Sequence, residues 1–209
     1  MAKERIKNII FDLGGVILNL NYENTSEAFK RLGVGQFDQC YSQAQQTGLF
    51  DDYETGKIDE TTFFKRLNEL SGSALPYEKA KAAWNAMLLD FPLARLRLLE
   101  ELGQNHRLFL LSNTNATHQA AFEIILQEAV GHSNLNPWFE QVYFSHHIGL
   151  RKPNAAVFQW VLEQNDLKAG ETLFIDDSEQ HVVGARSVGI QAKLLKPGTM
   201  IEQEIKEWL

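Results

Sequence analysis

Ile6-Lys7-Asn8-Ile9-Ile10-Phe11-Asp12-Leu13-Gly14-Gly15-Val16-Ile17 decides the fold of this 209-residue chain. β-Branched and aromatic residues lead to one carboxylate, Asp12, and then to a glycine pair where a chain turns sharply. This predicts a buried strand with an acid at its carboxyl end, where open parallel sheets hold their ligands. The rest of the chain is read outward from there, for further strands and for what their ends bring to Asp12.

From Pro92 onward, helices and strands alternate. Leu93, Leu96, Leu99 and Leu102 line a helix ended by Gly103, and Arg107-Leu108-Phe109-Leu110-Leu111 follows as a buried strand. A helix over about 116–129 precedes a strand at Val142-Tyr143-Phe144, and a helix over about 155–165 precedes Thr172-Leu173-Phe174-Ile175. After a helix through Ala185 to Val188, Ile190-Gln191-Ala192-Lys193-Leu194 alternates as an edge strand does, and a last helix ends at Leu209. The pattern predicts an α/β fold with a doubly wound parallel sheet.

Between the first strand and residue 90 the pattern is helical throughout. Asn24 caps a helix carrying Ala28, Phe29 and Leu32 and stopped by Gly33, and Phe37, Tyr41, Ala44 and Gln45 continue at helical spacing. Asp59 caps a helix with Phe63, Leu67 and Leu70 in register, closed by Gly72. Pro76 opens another, with Tyr77, Ala80, Trp84 and Met87 on one face. Residues 49–58 hold acids, aromatics and a glycine without a sustained period and read as loop. The expected organisation is an α/β core of residues 1–19 and 91–209, interrupted by a helical-bundle cap over 20–90.

Hydrophobic residues at 44% and charged residues at 22% suit a globular protein. A net charge of −7 without a Lys/Arg cluster argues against nucleic acid or an anionic membrane as partner, and no stretch is long and apolar enough to span a bilayer. The lone Cys40 excludes an intrachain disulfide and a multi-cysteine zinc site, and reads as a buried thiol in a reducing compartment. Lys3, Arg5 and Lys7 before an apolar run imitate a signal peptide, but Asn8, Asp12 and Asn19 interrupt the run and no small-residue cleavage site follows. The expectation is a cytoplasmic protein, monomer or homodimer. His146-His147 lacks a third ligand at suitable spacing. Trp84, Trp138, Trp160 and Phe63 are expected in the core.

In a parallel sheet the carboxyl ends share one edge, so Asp12, Ser112-Asn113 and Asp176-Asp177 converge there. Lys152, in Leu150-Arg151-Lys152-Pro153-Asn154, leaves the same edge just before a helix. Carboxylates, a hydroxyl and a cation make a set suited to a divalent metal and a phosphate beside an oxygen nucleophile.

Four motifs occur in order across nearly the whole chain: Phe11-Asp12-Leu13-Gly14-Gly15-Val16, Leu111-Ser112-Asn113-Thr114-Asn115, Arg151-Lys152-Pro153, and Phe174-Ile175-Asp176-Asp177-Ser178 with Gly184-Ala185. With them the chain resembles the haloacid dehalogenase superfamily of hydrolases, in the branch whose helical cap follows the first motif. The resemblance implies catalysis by Asp12, which forms an aspartyl-phosphate, and by Lys152, which orients it and neutralises the phosphoryl charge. It implies phosphate binding by Ser112, the backbone of Asn113, and Lys152. It implies Mg2+ held by Asp12, the backbone carbonyl of Gly14 and Asp177, with Asp176 in the outer shell or a minor role. Cap residues Phe50, Asp51, Tyr53 and Glu54 are expected to set specificity, since such cap segments face the site.

Two departures stand out. Phosphatases of this family usually carry a second aspartate where this chain has Gly14, which keeps the carbonyl ligand and loses the acid/base. General acid–base help is typically worth about 10²–10⁴ in rate, or about 3–5 kcal/mol of barrier. The expected substrate therefore has a leaving oxygen that needs little protonation, or else the cap supplies an acid. His181 stands where many relatives have Asp or Asn; it is expected on a helix surface, with a place near the metal's outer shell as the alternative. The glycine-bearing first motif, Ser-Asn-Thr-Asn and Arg-Lys-Pro are also similar to the bacterial glucose-1-phosphate phosphatase group, which points to a sugar phosphate. The expected function is a Mg-dependent phosphatase acting on a small phosphoester. Its rivals are a 2-haloacid dehalogenase using the same Asp12, and a phosphoester-binding regulatory protein weakened by Gly14.

Overall fold

The computed structural model of the protein describes residues 5–35, 37 and 48–209. Five strands form one sheet: β1 (Asn8–Phe11), β2 (Arg107–Ser112), β3 (Gln141–Phe144), β4 (Thr172–Asp176) and β5 (Gln191–Leu194). Their order is β3-β2-β1-β4-β5 and every pairing is parallel. β1 is thus central, with Phe11 opposite Leu110 on one side and Ile175 on the other. Chain direction across the sheet reverses at β1, which is where parallel sheets open a crevice for ligands.

Strand side chains alternate between two hydrophobic layers, as a period of two requires. Ile9, Phe11, Leu108, Leu110, Leu173 and Ile175 face one core with helices α5 (Leu93–Leu102), α6 (Ala116–Val130) and α10 (Ile201–Trp208). Ile10, Phe109, Leu111 and Phe174 face the other, with α8 (Ala155–Gln164) and α9 (Glu179–Ser187). Covering both faces makes the sheet doubly wound, as expected. Gly184 of α9 lies against the carbonyl of Pro153 so closely that any side chain would collide with it.

Between β1 and β2 run α1 (Tyr22–Arg31), α2 (Gly48–Glu54), α3 (Glu60–Ser71) and α4 (Tyr77–Asn85). They enclose a third core of Phe29, Phe50, Tyr53, Phe63, Phe64 and Trp84. Phe63 stacks on Tyr53 at 4.3 Å and lies 5.1 Å from Trp84. Each such buried aromatic contributes about 1.5–3 kcal/mol, so these helices form a bundle with its own apolar centre.

Local signals explain most boundaries. The Asp59 side chain accepts from the Thr62 N–H at 2.8 Å, Gly72 closes α3 in the left-handed region, and Pro76 precedes α4. The first cap differs from expectation: Asn21, not Asn24, accepts from the Glu23 N–H at 3.0 Å. Residues 49–54, part of the stretch expected as loop, belong to α2, because Leu49, Phe50, Tyr53 and Glu54 are buried on one face. The segment after β3 holds a single turn, α7 (Ser145–Ile148). Leu70 is exposed rather than packed, and Trp160 is half-buried against Tyr143 at 5.2 Å. Phe37 is buried; the helix expected through Tyr41, Ala44 and Gln45, and the thiol of Cys40, lie outside the described residues. No helix among the described residues is long and apolar enough to cross a membrane.

Candidate active site

The carboxyl ends of β1, β2 and β4 deliver their polar residues to one cavity of about 90 Å³, lined by Asp12, Ser112, Asn113, Lys152, Asp177 and His181 among others. Lys152 is its centre. The ammonium, fully buried, donates to Asp12 Oδ1 at 2.7 Å and to Asp176 Oδ2 at 2.6 Å. The loop carrying Lys152 is fixed by Asn113, whose side chain accepts from the Lys152 N–H at 3.0 Å and donates to the Lys152 carbonyl at 2.9 Å. Asn113 therefore ties the end of β2 to the lysine loop through its side chain, whatever its backbone does.

The charges are strongly coupled. Burial pushes the Asp12 carboxyl up to about 6, against the pull of Lys152 and with the help of Asp176. Burial also works to strip the Lys152 proton, but Asp12 and Asp176 outweigh it and hold the ammonium above its ordinary range. For Asp176, burial is again the largest influence, and Lys152 and His181 overcome it to bring the carboxyl down to about 2. Asp176 is thus a firmly ionised anchor, whereas Asp12, ionised at pH 7, takes up a proton far more readily.

Asp12, Asp176 and Asp177 each present an oxygen within 4.8 Å of the others. Hard divalent cations such as Mg2+ take oxygen ligands of this kind, so the donor set fits one. Both Asp176 oxygens already accept hydrogen bonds, Oδ2 from Lys152 and Oδ1 from the Ser178 N–H at 2.8 Å. Gly15 is needed here on two counts: its φ is +74°, and a side chain would run into the Asp177 carboxylate. Gly14 has no such strain. A Cβ at position 14 would lie 2.5 Å from Leu20 Cδ1, the tip of a flexible side chain, so an acid here would need only Leu20 to turn aside.

His181 is not a surface residue. In the first turn of α9 it folds back over the end of β4, is 9% exposed, and donates from Nδ1 to Asp176 at 3.0 Å. A second histidine that sequence patterns did not single out, His118, also lines the cavity. Its Nε2 donates to the Trp84 carbonyl at 3.1 Å, and its Nδ1 accepts from Asn115 Nδ2 at 3.2 Å. The ring stacks on Trp84 at 4.7 Å. The one available signal was Asn115, a cap residue three positions earlier, which accepts from the His118 N–H at 3.0 Å.

Burial holds the His118 imidazole down near 4, with the Trp84 carbonyl opposing. Unfolded chains take this proton near 6.5, so between those values the unfolded state binds more protons and stability falls as pH falls. The raised Asp12 carboxyl works in the opposite sense over the same range. The measure is therefore a difference: from pH 7 to pH 5, metal-free protein is expected to lose about 2 kcal/mol more than the His118→Gln variant in urea unfolding.

Of the four cap residues, Glu54 lines the cavity; Phe50, Asp51 and Tyr53 do not. Phe50 and Tyr53 belong to the bundle core, 1% and 2% exposed. The Tyr53 hydroxyl bonds Thr117 Oγ1 and accepts from the Thr117 N–H at 3.2 Å, which joins the bundle to the first turn of α6. Asp51 pairs with Arg151, and Glu54 meets the same guanidinium at 3.0 Å. His146 bonds Gln119 at 2.9 Å, which is a structural role.

Comparison with known proteins agrees with this geometry. The haloacid dehalogenase-like hydrolase model matches residues 6–189. A D-ribitol-5-phosphate phosphatase from Bacteroides thetaiotaomicron is 30% identical over 200 residues, covering 96% of this chain and 97% of that protein. A wild-type haloacid dehalogenase family enzyme from the same organism, in complex with magnesium and inorganic phosphate, superposes with a TM-score of 0.81 at 33% identity, covering 93% of this chain and 96% of that one. A HAD-like hydrolase from Porphyromonas gingivalis superposes with a TM-score of 0.87 at 31% identity, covering 98% of each chain. The chain belongs to the haloacid dehalogenase-like hydrolase family.

Proposed function

We propose that the protein is a magnesium-dependent phosphatase that hydrolyses a small phosphorylated metabolite, a sugar or polyol phosphate, in the cytoplasm. The observation that carries this reading is the buried Lys152 ammonium shared by Asp12 and Asp176 with Asp177 beside them. A metal-free site built to take a haloacid anion would use Asp12 but has no use for the acidic pair Asp176-Asp177 beside it. The relatives with phosphatase activity and with bound magnesium and phosphate support it. A cavity of about 90 Å³, well below the ~300–1,000 Å³ of drug-sized ligand pockets, favours a short substrate.

In the proposed reaction an Asp12 oxygen attacks phosphorus, the ester P–O bond breaks, and the alcohol oxygen leaves and acquires a proton. Water then attacks the aspartyl-phosphate and breaks its P–O bond, releasing inorganic phosphate and restoring the carboxylate. Lys152 screens the phosphoryl oxygens from Asp12 and keeps the nucleophile ionised. Ser112 and the Asn113 backbone bind phosphoryl oxygens. Asp12, the Gly14 carbonyl and Asp177 hold Mg2+, and Asp176, occupied by Lys152 and His181, orients its neighbours or acts through water. Bound there, magnesium supplies the positive charge that lets an anionic nucleophile meet a phosphate dianion. With no carboxyl at Gly14, protonation of the leaving group falls to an easily released alcohol or to a donor across the cavity. The division into a core of 1–19 and 91–209 and a cap of 20–90 places Glu54 on the cap side.

Phosphate release from a panel of sugar and polyol phosphates is expected with magnesium and to vanish with EDTA. Chloride release from 2-chloropropionate that survives EDTA would overturn the reading in favour of dehalogenation. Binding without turnover across the panel would favour a regulatory role.

A further inference from the structure

Next to Lys152 in the chain, the cavity lining carries an ion-pair cluster that the chemistry above leaves unused. Arg151, the residue before Lys152, reaches Glu54 of α2 at 3.0 Å through Nη2 and pairs with Asp51 through Nη1. Arg151 and Glu54 both line the cavity, and the Glu54 side chain is 9% exposed. The wall is completed by apolar side chains: Leu20, Met87 and Leu88.

We propose that this cluster selects substrates by charge. It accepts phosphomonoesters whose tail is neutral and hydroxylated, and rejects those carrying a second anion such as a carboxylate or another phosphate. The proposal rests on the phosphatase reading and names the substrate class of the same site. One guanidinium against two carboxylates gives the cluster a net negative charge, which Glu54 presents at the cavity. Both terminal nitrogens of Arg151 are engaged by Asp51 and Glu54, so pairing with a substrate anion would break a largely buried ion pair, and the anion would then sit beside Glu54. A hydroxyl asks for neither. It donates to Glu54, whose two oxygens offer about four lone-pair sites, and the Arg151 contact stays in place. The carbons between the hydroxyls meet Leu20, Met87 and Leu88. Because Glu54 comes from the inserted helices and Arg151 from the lysine loop, the filter exists only with the bundle seated against the sheet, as it is here.

The test is a matched pair: glycerol phosphate and 3-phosphoglycerate differ at the far carbon, hydroxymethyl in one and carboxylate in the other. With magnesium, wild-type kcat/KM is expected to favour glycerol phosphate by about 100-fold. Glu54→Gln keeps the size and hydrogen bonding and removes the charge, and is expected to narrow the ratio at least about 10-fold, chiefly through faster phosphoglycerate hydrolysis. Comparable wild-type rates on the two esters would overturn the proposal whether or not the variant folds. So would an unchanged ratio in a folded Glu54→Gln protein, or hydrolysis of p-nitrophenyl phosphate with neither glycerol ester. Failure on all three esters would instead remove the phosphatase reading, and this proposal with it.

Discussion

Lys152→Met is expected to lower turnover at least about 10³-fold and to destabilise the protein by about 3 kcal/mol, the low end of the range for breaking a buried ion pair. The lysine is fully buried and touches two carboxylates, so its removal leaves Asp12 and Asp176 facing each other without a cation. Asp176 keeps the Ser178 N–H and His181. Asp12 has the easier escape, because its carboxyl is already up near 6 and takes a proton once Lys152 is gone. Protonation limits the loss of stability and is also what ends activity, since a neutral carboxyl is no nucleophile. Steady-state kinetics with saturating magnesium, paired with urea unfolding at pH 7, reads both effects. A variant within 10-fold of wild-type turnover would show that Lys152 is structural only.

Asp12→Asn is expected to separate stability from activity in the other direction. An Asp12 carboxyl held near 6 rather than 3.8 is a charge the fold disfavours by about 3 kcal/mol at neutral pH. The sign follows from linkage: the native state takes this proton more readily than the unfolded chain, so ionised Asp12 lowers stability at pH 7. An isosteric neutral side chain relieves that cost, and metal-free Asp12→Asn is expected to unfold at an equal or higher urea midpoint than wild type. Its phosphatase turnover is expected to fall by about 10⁴-fold or more, as loss of a covalent nucleophile does. A large loss of stability would mean that Asp12 is a structural partner of Lys152 and not a disfavoured charge.

The sheet was legible in the sequence because its strands are short buried runs with polar residues at their carboxyl ends. Asp12, Ser112 and Asp176 could be assigned to one edge once the connections were read as parallel. Gly72, Asp59 and Pro76 marked their helix ends through local chemistry that needs no tertiary knowledge. What failed was whatever the rest of the molecule decides. α2 is seven residues long with Asp51 and Asp52 in its middle, too short to show a period. It is helical because Phe50 and Tyr53 pack on Phe63. His181 looked like a surface residue because nothing in the sequence says that α9 brings it back onto Asp176. The cap segment was expected to face the site as a group. Helical geometry divides it, sending Phe50 and Tyr53 inward and leaving Glu54 at the cavity. Leu20 gave no signal at all, and its relation to Gly14 depends on where the chain returns after the glycine turn.

The central claim is that Asp12 carries the phosphoryl group. Wild-type protein mixed with substrate and magnesium, quenched in acid within one turnover and cleaved into peptides, tests it most directly by mass spectrometry. One phosphoryl group on the peptide containing Asp12, absent after EDTA and absent in Asp12→Asn, is the predicted result. Phosphate released at full rate with that peptide never modified would contradict it.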